Sequence, residues 1–104
     1  MEYKDKLVRD KIPEIIKERT GKSPKTHIAN KEEYMQKLKE KLKEEVSEFL
    51  EDNNAEELSD ILEVIYNLAY SINVTKDKLE ELRTKKVAER GSFKDKIILE
   101  EVKK

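Results

Sequence analysis

The stretch that decides the fold of this chain is KEEYMQKLKEKLKEEVSEFLEDNNAEELSDILEVIYNLAYSI, residues 31–72. Its apolar residues recur every three or four positions, which is the period of an amphipathic α-helix. An Asp-Asn-Asn run at 52–54 interrupts this pattern and favours a tight turn. The stretch therefore predicts two helices, of about Lys31 to Asp52 and about Ala55 to Ile72. Because the connection is short, these helices should pack antiparallel.

Both predicted helices begin at a recognisable capping signal. Asn30 is followed three residues later by Glu33, and Asn54 is followed in the same way by Glu57. A short polar side chain with an acid three positions on resembles a capping box, which satisfies the free N–H groups of a first helical turn.

The segment before this hairpin predicts one short helix. Asp10 is suited to be its N-cap, and Pro13 fits within its first turn, where a missing N–H costs little. Gly21 should end the helix, because glycine readily adopts the left-handed conformation of a C-cap.

The segment after the hairpin predicts another helix and a tail. Thr75 should cap a helix of about Lys76 to Arg90, and Gly91 should close it. The tail, residues 93–104, has a β-prone centre and is expected to form a short strand or an extended arm. We therefore expect an all-α fold in a single domain, residues 1–104.

The composition limits what one copy of this chain can build alone. Charged residues make up 45% of the sequence and apolar residues only 36%, whereas ordinary globular chains have about a quarter charged residues. Such a chain could be disordered, a long solvated helix, or a helical subunit that completes its core with a partner. The net charge of −1, from 23 basic and 24 acidic residues, excludes a dominant basic field for binding nucleic acid polymers.

The residue types exclude several kinds of site. The chain has no Cys, which excludes thiol nucleophiles and thiolate metal sites, and its single His, His27, cannot build a histidine-based zinc site. No unbroken apolar run is longer than three residues, so we expect no membrane span and no signal peptide. A soluble cytoplasmic protein is the expectation.

Four acids lie at the margins of the predicted apolar faces. On a helical wheel Glu45 falls inside the apolar arc of the first long helix, and Glu48 lies at its edge. Glu57 falls inside the arc of the next helix, and Asp60 flanks it. In an antiparallel hairpin, residues whose numbers add to a constant lie at the same height. Glu45 then faces Asp60, and Glu48 faces Glu57.

Four neighbouring carboxylates would repel one another and would be costly to desolvate. A divalent cation would resolve this, and a set of hard oxygen ligands favours Mg²⁺ or Mn²⁺ over Zn²⁺. The alternative is that these acids are ordinary solvated groups that pair with lysines along their helices, with Glu57 serving only the helix cap.

The acidic motifs carry a family resemblance. EEVSE at 44–48 followed by ELSD at 57–60 resembles the EExxE, spacer and ExxD signature of the MazG-like all-α nucleoside triphosphate pyrophosphohydrolases. KLVRDKIPEII at 6–16 and KKVAERGSFKDKIILEEV at 85–102 are similar to a small branch of that superfamily, often labelled phosphoribosyl-ATP pyrophosphohydrolase-like. The resemblance covers nearly the whole chain, although the spacer between the two acidic motifs is shorter than in typical MazG domains.

The resemblance implies a metal, an assembly and an activity. Its metal acids match Glu45, Glu48, Glu57 and Asp60, which would bind the Mg²⁺ that holds a triphosphate. It also implies a four-helix bundle that is completed by dimerisation, in a homodimer or homotetramer. The implied reaction cleaves a nucleoside triphosphate to the monophosphate and pyrophosphate, in a house-cleaning role.

This chemistry needs a base and several cations. A carboxylate of the cluster, Glu45 or Glu48, is the candidate to activate the attacking water. Cations must stabilise the charge on the leaving pyrophosphate. The candidate cations are Lys6, Arg9, Lys11, Arg83, Lys86 and Arg90.

Two other functions remain open from the sequence. The first is phosphoribosyl-ATP pyrophosphohydrolase in histidine biosynthesis, which uses the same metal logic on another substrate. The second is a non-enzymatic helical module for dimerisation or adaptor binding.

Overall fold

A computed structural model of the chain describes residues 5–103. In that range four helices follow one another: α1 (Ile12–Thr20), α2 (Lys31–Asp52), α3 (Ala55–Ser71) and α4 (Lys76–Arg90). The same range contains no strand. The predicted all-α class is therefore confirmed, and the bounds of α2 and α4 are those that the sequence predicts.

The predicted caps explain why these bounds were predictable. The Asn30 side chain accepts a hydrogen bond from the Glu33 N–H at 2.9 Å, and the Asn54 side chain accepts one from the Glu57 N–H at 3.0 Å. Thr75 caps α4 in the same way, by accepting from the Lys78 N–H. Each cap satisfies an N–H group that would otherwise have no partner in the first helical turn.

The predicted cap of α1 is wrong. Its N-cap is Lys11, which makes no side-chain cap hydrogen bond, and Asp10 lies in the turn before it. A cap at Asp10 would need an N–H group two or three residues on. The N–H of Ile12 already donates to the carbonyl of Arg9 at 3.0 Å, and Pro13 has no N–H. Gly21 ends α1 in the left-handed conformation, as predicted.

The tail does not form the strand that was one of its two predicted conformations. Residues 92–103 contain only a turn near Phe93 and otherwise irregular backbone, and their apolar side chains are exposed. A strand needs a hydrogen-bonded neighbour, and nothing in the described part of the chain pairs with this segment.

The two central helices form the antiparallel hairpin. α3 packs against α2 and also contacts α4. Two contacts show that the helices are antiparallel. Glu45 meets Asp60 nearer the turn, and farther from it the Tyr34 hydroxyl donates to Asn67 Oδ1 at 3.3 Å. In the part of the chain that the structure describes, the buried apolar core is small and consists of Leu38, Val64 and Ala69.

Many apolar side chains of the helices stay exposed in a single copy. Those with more than a third of their surface in solvent are Val46, Leu50, Leu58, Leu62, Tyr70, Leu82 and Val87. Ile72, which directly follows α3, is exposed as well. No side chain in the described range is completely buried. The thin core expected from the composition is thus present. In the described range, no helix combines the length and the apolar character that a membrane crossing requires.

Candidate metal centre

Three of the four predicted acids form a tight cluster between α2 and α3. One carboxylate oxygen from each of Glu45, Glu57 and Asp60 lies within 4.8 Å of the other two. Glu45 comes from the middle of α2, whereas Glu57 and Asp60 come from the first two turns of α3. They meet because the hairpin is antiparallel, which was the basis for predicting that Glu45 faces Asp60.

The fourth acid, Glu48, lies at the edge of this cluster. Its carboxyl neighbours those of Glu45 and Glu57, and it is half-buried. It follows Glu45 by one helical turn, which places both side chains on the same face of α2. Glu48 therefore lies beside the three clustered acids, on the hairpin-turn side of Glu45.

The buried oxygens of the cluster have no partner. Glu45 is only 6% exposed. Its Oε2 and the Oε2 of Glu57 are buried without a hydrogen bond among the described residues. Buried polar atoms in native proteins are nearly always hydrogen-bonded, because desolvating an unpaired oxygen is costly. These two oxygens are therefore a sign of a ligand, independent of the clustering itself.

The surroundings make the charged forms of two acids unfavourable. Burial, and next the neighbouring Glu48, raise the pKa of Glu45 above its usual value. Burial also raises the pKa of Glu48, and Glu57 adds to this effect. Both shifts are what is expected when carboxylates gather without a compensating cation.

Among the described residues, two cations contact the cluster. The Arg9 guanidinium donates to Asp60 Oδ1 at 2.7 Å, and Lys41 Nζ lies 3.5 Å from Glu45 Oε1. Lys41 also lies 3.7 Å from Glu44 Oε1, which Lys6 approaches from the N-terminal segment at 3.6 Å. If all four acids are ionised, Arg9 and Lys41 compensate only half of their negative charge, and one divalent cation would neutralise the rest.

A cavity of about 200 Å³ opens beside the acids. Residues 7–10 form one wall, and the facing sides of α2 and α3 form the others. Its polar lining includes Glu45, Asp60, Arg9 and Lys41, and Leu7 and Val8 contribute apolar surface. The cavity thus offers acids, cations and an apolar wall within reach of one small ligand.

A hydrogen-bonded group closes the end of this cavity away from the hairpin turn. Asn67 accepts from the Tyr34 hydroxyl and donates to the Glu63 carboxylate at 3.0 Å and the Glu63 carbonyl at 2.9 Å. Because the side chain of Asn67 is held from both sides, this end of the cavity is preorganised.

The predicted cations divide into two groups. Lys6 and Arg9 contact acids of the two motifs. Among residues 5–103, Lys11, Lys86 and Arg90 neither pair with these acids nor line the cavity. Arg83 binds Glu80 within its own helix, with its Nε 2.9 Å from Glu80 Oε2. Phosphate binding by these residues stays a prediction from the sequence.

Sequence reasoning missed two residues of the site, Lys41 and Glu63. Lys41 precedes Glu45 by four positions, so the rule that residues four apart share a helix face could have found it. Glu63 follows Asp60 by three positions and lines the cavity, and the same rule applies.

The donor set fits a hard divalent cation. The three clustered oxygens lie within 4.8 Å of one another, which is of the order of the roughly 4.2 Å that the ligand oxygens of one Mg²⁺ can span. Carboxylates alone suit Mg²⁺ or Mn²⁺ and not zinc, which prefers nitrogen and sulfur.

Comparisons with models of protein families, with curated proteins and with solved structures find no match to this chain.

Proposed function

We propose that the protein is a Mg²⁺-dependent pyrophosphohydrolase that cleaves a nucleoside triphosphate to the monophosphate and pyrophosphate. The observation that carries the proposal is the buried Glu45 Oε2, which has no hydrogen-bond partner among the described residues and lies in a cluster of acids beside a cavity with cationic walls. The sequence resemblance at 44–48 and 57–60 names the substrate class.

The residues divide the work as follows. Glu45, Glu57 and Asp60, with Glu48 at the edge, would hold the ion, which when bound neutralises phosphate oxygens and orients the triphosphate. Arg9 and Lys41 line the same cavity and would bind the remaining phosphate charge.

The chemical step needs a base for water. Glu48 is the candidate, because it is more exposed than Glu45 and because burial raises its pKa, which makes its carboxylate a stronger base. Water attacks the α-phosphorus, its proton passes to a Glu48 oxygen, and the bond from that phosphorus to the oxygen bridging to the β-phosphate breaks. The electron pair of the broken bond leaves with pyrophosphate.

A nucleotide panel tests the proposal. Purified protein with Mg²⁺ and each common nucleoside triphosphate should release pyrophosphate, and chelation should stop the release. Glu45→Gln and Asp60→Asn should each lower the rate by about a hundredfold or more, because each removes a ligand charge at the site. Glu56→Gln, an exposed acid four residues before Asp60 on α3, is the matched control and should retain full activity. Full activity in both site variants would contradict the proposal.

The same panel separates the histidine-pathway alternative. Phosphoribosyl-ATP, included as one more substrate, would be cleaved far faster than any common nucleoside triphosphate if that alternative were right. Rescue of a histidine auxotroph that lacks this step would support the alternative in cells.

We also propose that the working unit is a homodimer or a homotetramer. The support is physical: within residues 5–103, one copy buries only three apolar side chains, while seven on its helices stay exposed. A four-helix bundle formed by two hairpins would cover such faces.

A further inference from the structure

An ion pair joins the N-terminal segment to one of the candidate metal ligands of the hairpin. Arg9 donates to Asp60 Oδ1 at 2.7 Å, and Asp60 is one of the three acids whose oxygens cluster. A positively charged side chain of the protein therefore lies on a site that a divalent cation also needs.

This ion pair is open to solvent on both sides. The side chain of Arg9 is 59% exposed, and that of Asp60 is 39% exposed. Exposed ion pairs contribute little net stability, because water competes well for both partners. Exchange of the Arg9 guanidinium for a bound cation is thus energetically accessible.

Arg9 would remain in the cavity wall after such an exchange. Its two predecessors, Leu7 and Val8, line the cavity and are half-buried. Lys6 adds a contact to Glu44, which is not in the metal cluster. The segment is therefore held by contacts that do not depend on Asp60.

Resting on the proposed function, we propose that Arg9 exchanges partners during binding. It pairs with Asp60 in the metal-free protein. When Asp60 binds the divalent cation, Arg9 is released to the phosphate oxygens of the incoming nucleotide. The planar guanidinium suits both partners, since it donates in a fixed fork to carboxylates and to phosphates.

The charges favour this order. Neutralisation of the acids by a divalent cation weakens the attraction between Asp60 and Arg9. A triphosphate then brings several negative charges into the same cavity, where Arg9 and Lys41 are the cations of its lining. Arg9 therefore has a better partner only after the metal and nucleotide have arrived.

The exchange predicts effects of opposite sign from one substitution. Arg9→Ala removes the competitor of the metal, so it should bind Mg²⁺ or Mn²⁺ more tightly without nucleotide. The same variant loses a phosphate contact, so its KM for nucleotide should rise. If Arg9 only oriented Asp60, the substitution would weaken metal binding instead.

The experiment is a calorimetric titration of the full chain with MnCl₂ in the absence of nucleotide, followed by steady-state kinetics. Arg9→Ala should lower the Kd for Mn²⁺ about twofold to fivefold relative to Lys6→Ala, which removes a charge from the same segment but not from a ligand. Arg19→Ala, an exposed arginine in α1, should leave the Kd unchanged. In an Asp60→Asn background, Arg9→Ala should cause no further change in the Kd for Mn²⁺. In the kinetic measurements, the Arg9→Ala single variant should have a KM for nucleotide about tenfold above that of the parent protein.

Each half of the exchange can fail separately from the proposed function. A Kd for Arg9→Ala equal to or above that of Lys6→Ala would overturn the competition with metal, even if the parent protein hydrolyses nucleotide. An unchanged KM would overturn the transfer to phosphate. If no nucleotide were hydrolysed, the proposed function would fail, while the Mn²⁺ titration would still decide whether Arg9 competes for Asp60.

Discussion

Glu45 is the residue on which the site depends most. It is buried, one of its oxygens has no partner, and its carboxyl lies among three other acids. A buried carboxylate in this setting opposes folding unless a cation compensates it. The stability of the metal-free protein therefore does not explain this side chain, whereas the proposed metal ion would.

Glu45→Gln should stabilise the metal-free protein and remove its response to metal. The neutral amide has nearly the same shape but does not add charge to the cluster. We expect the midpoint of thermal unfolding in EDTA to rise by a few degrees. In the parent protein, Mg²⁺ at millimolar concentration should raise the midpoint, because it binds only the folded state. Glu45→Gln should show little of this rise, whereas the control Glu56→Gln should behave like the parent. A full metal response in Glu45→Gln would contradict the assignment of Glu45 as a ligand.

The raised pKa values of Glu45 and Glu48 predict how stability depends on pH. A carboxyl whose pKa is higher in the folded state than in the unfolded state holds its proton longer when folded. Between these two values the folded protein binds more protons, so the free energy of unfolding falls as pH rises. In EDTA we expect these two acids to contribute a loss of stability as pH rises above 4.5, the usual pKa of the carboxyl.

Urea unfolding at pH values between 5 and 8 measures this loss. Saturating Mg²⁺ should reduce it, since the ion binds the ionised carboxylates and favours their deprotonation. Glu45→Gln should flatten the curve in EDTA. An identical pH dependence in the parent and in Glu45→Gln would contradict the coupling.

At the scale of the element, the helix caps decide how precisely the acids meet. Glu57 is the residue whose N–H donates to the Asn54 cap at 3.0 Å. The same first turn of α3 therefore carries both the cap and a candidate ligand. Fraying of this turn would move the Glu57 carboxylate away from Glu45.

Asn54→Ala should consequently weaken metal binding as well as stability. Loss of an N-cap costs about 1 kcal/mol. Asn30→Ala is the matched control, because Asn30 caps α2 in the same way but lies far from the acids along the helix. Both variants should unfold at similarly reduced urea concentrations, and only Asn54→Ala should raise the Kd for Mn²⁺. Equal effects on the Kd would show that the cap of α3 has no special role in the site.

Local sequence signals predicted the helices and the acids that meet in the hairpin. The contacts that the N-terminal segment makes with these acids depend on tertiary packing. The starts of α2, α3 and α4 followed from Asn30, Asn54 and Thr75, because cap and helix are neighbours in sequence. Glu45 and Asp60 were paired correctly because a short turn fixes the register of the hairpin.

The contact of Arg9 with Asp60 was beyond such signals, since these residues are 51 positions apart. No periodicity shows where a short N-terminal segment docks. The predicted cap at Asp10 was wrong for a local reason, because the N–H of Ile12 donates to the Arg9 carbonyl instead. Of the two conformations predicted for the tail, the short strand does not form, because strands depend on a neighbour that the sequence of one segment does not reveal.

At the scale of the whole molecule, the exposed apolar faces predict self-association. Leu58 and Leu62 are four residues apart on α3, and each has about half of its surface in solvent. Two copies that cover this face would bury it in the manner of a helical bundle.

Substitution of this face tests the assembly. Leu58→Gln with Leu62→Gln should raise the dissociation constant of the dimer about tenfold or more, because apolar burial is the main source of association energy. Light scattering or sedimentation over a range of protein concentrations measures it. Lys78→Gln, on the exposed surface of α4, is the control and should leave the mass unchanged. A parent protein that stays monomeric at high micromolar concentration would contradict the proposed assembly.

The hairpin has a consequence for the way the chain folds. Its acids belong to neighbouring helices joined by a two-residue turn, so the loop that must close to bring them together is small and its entropic cost is low. A cation could therefore bind the acids of both helices early in folding, before the N-terminal segment packs against the hairpin. Refolding in the presence of Mg²⁺ should consequently be faster, and not only the final state more stable, because the ion would act on the nucleus from which the remaining structure grows.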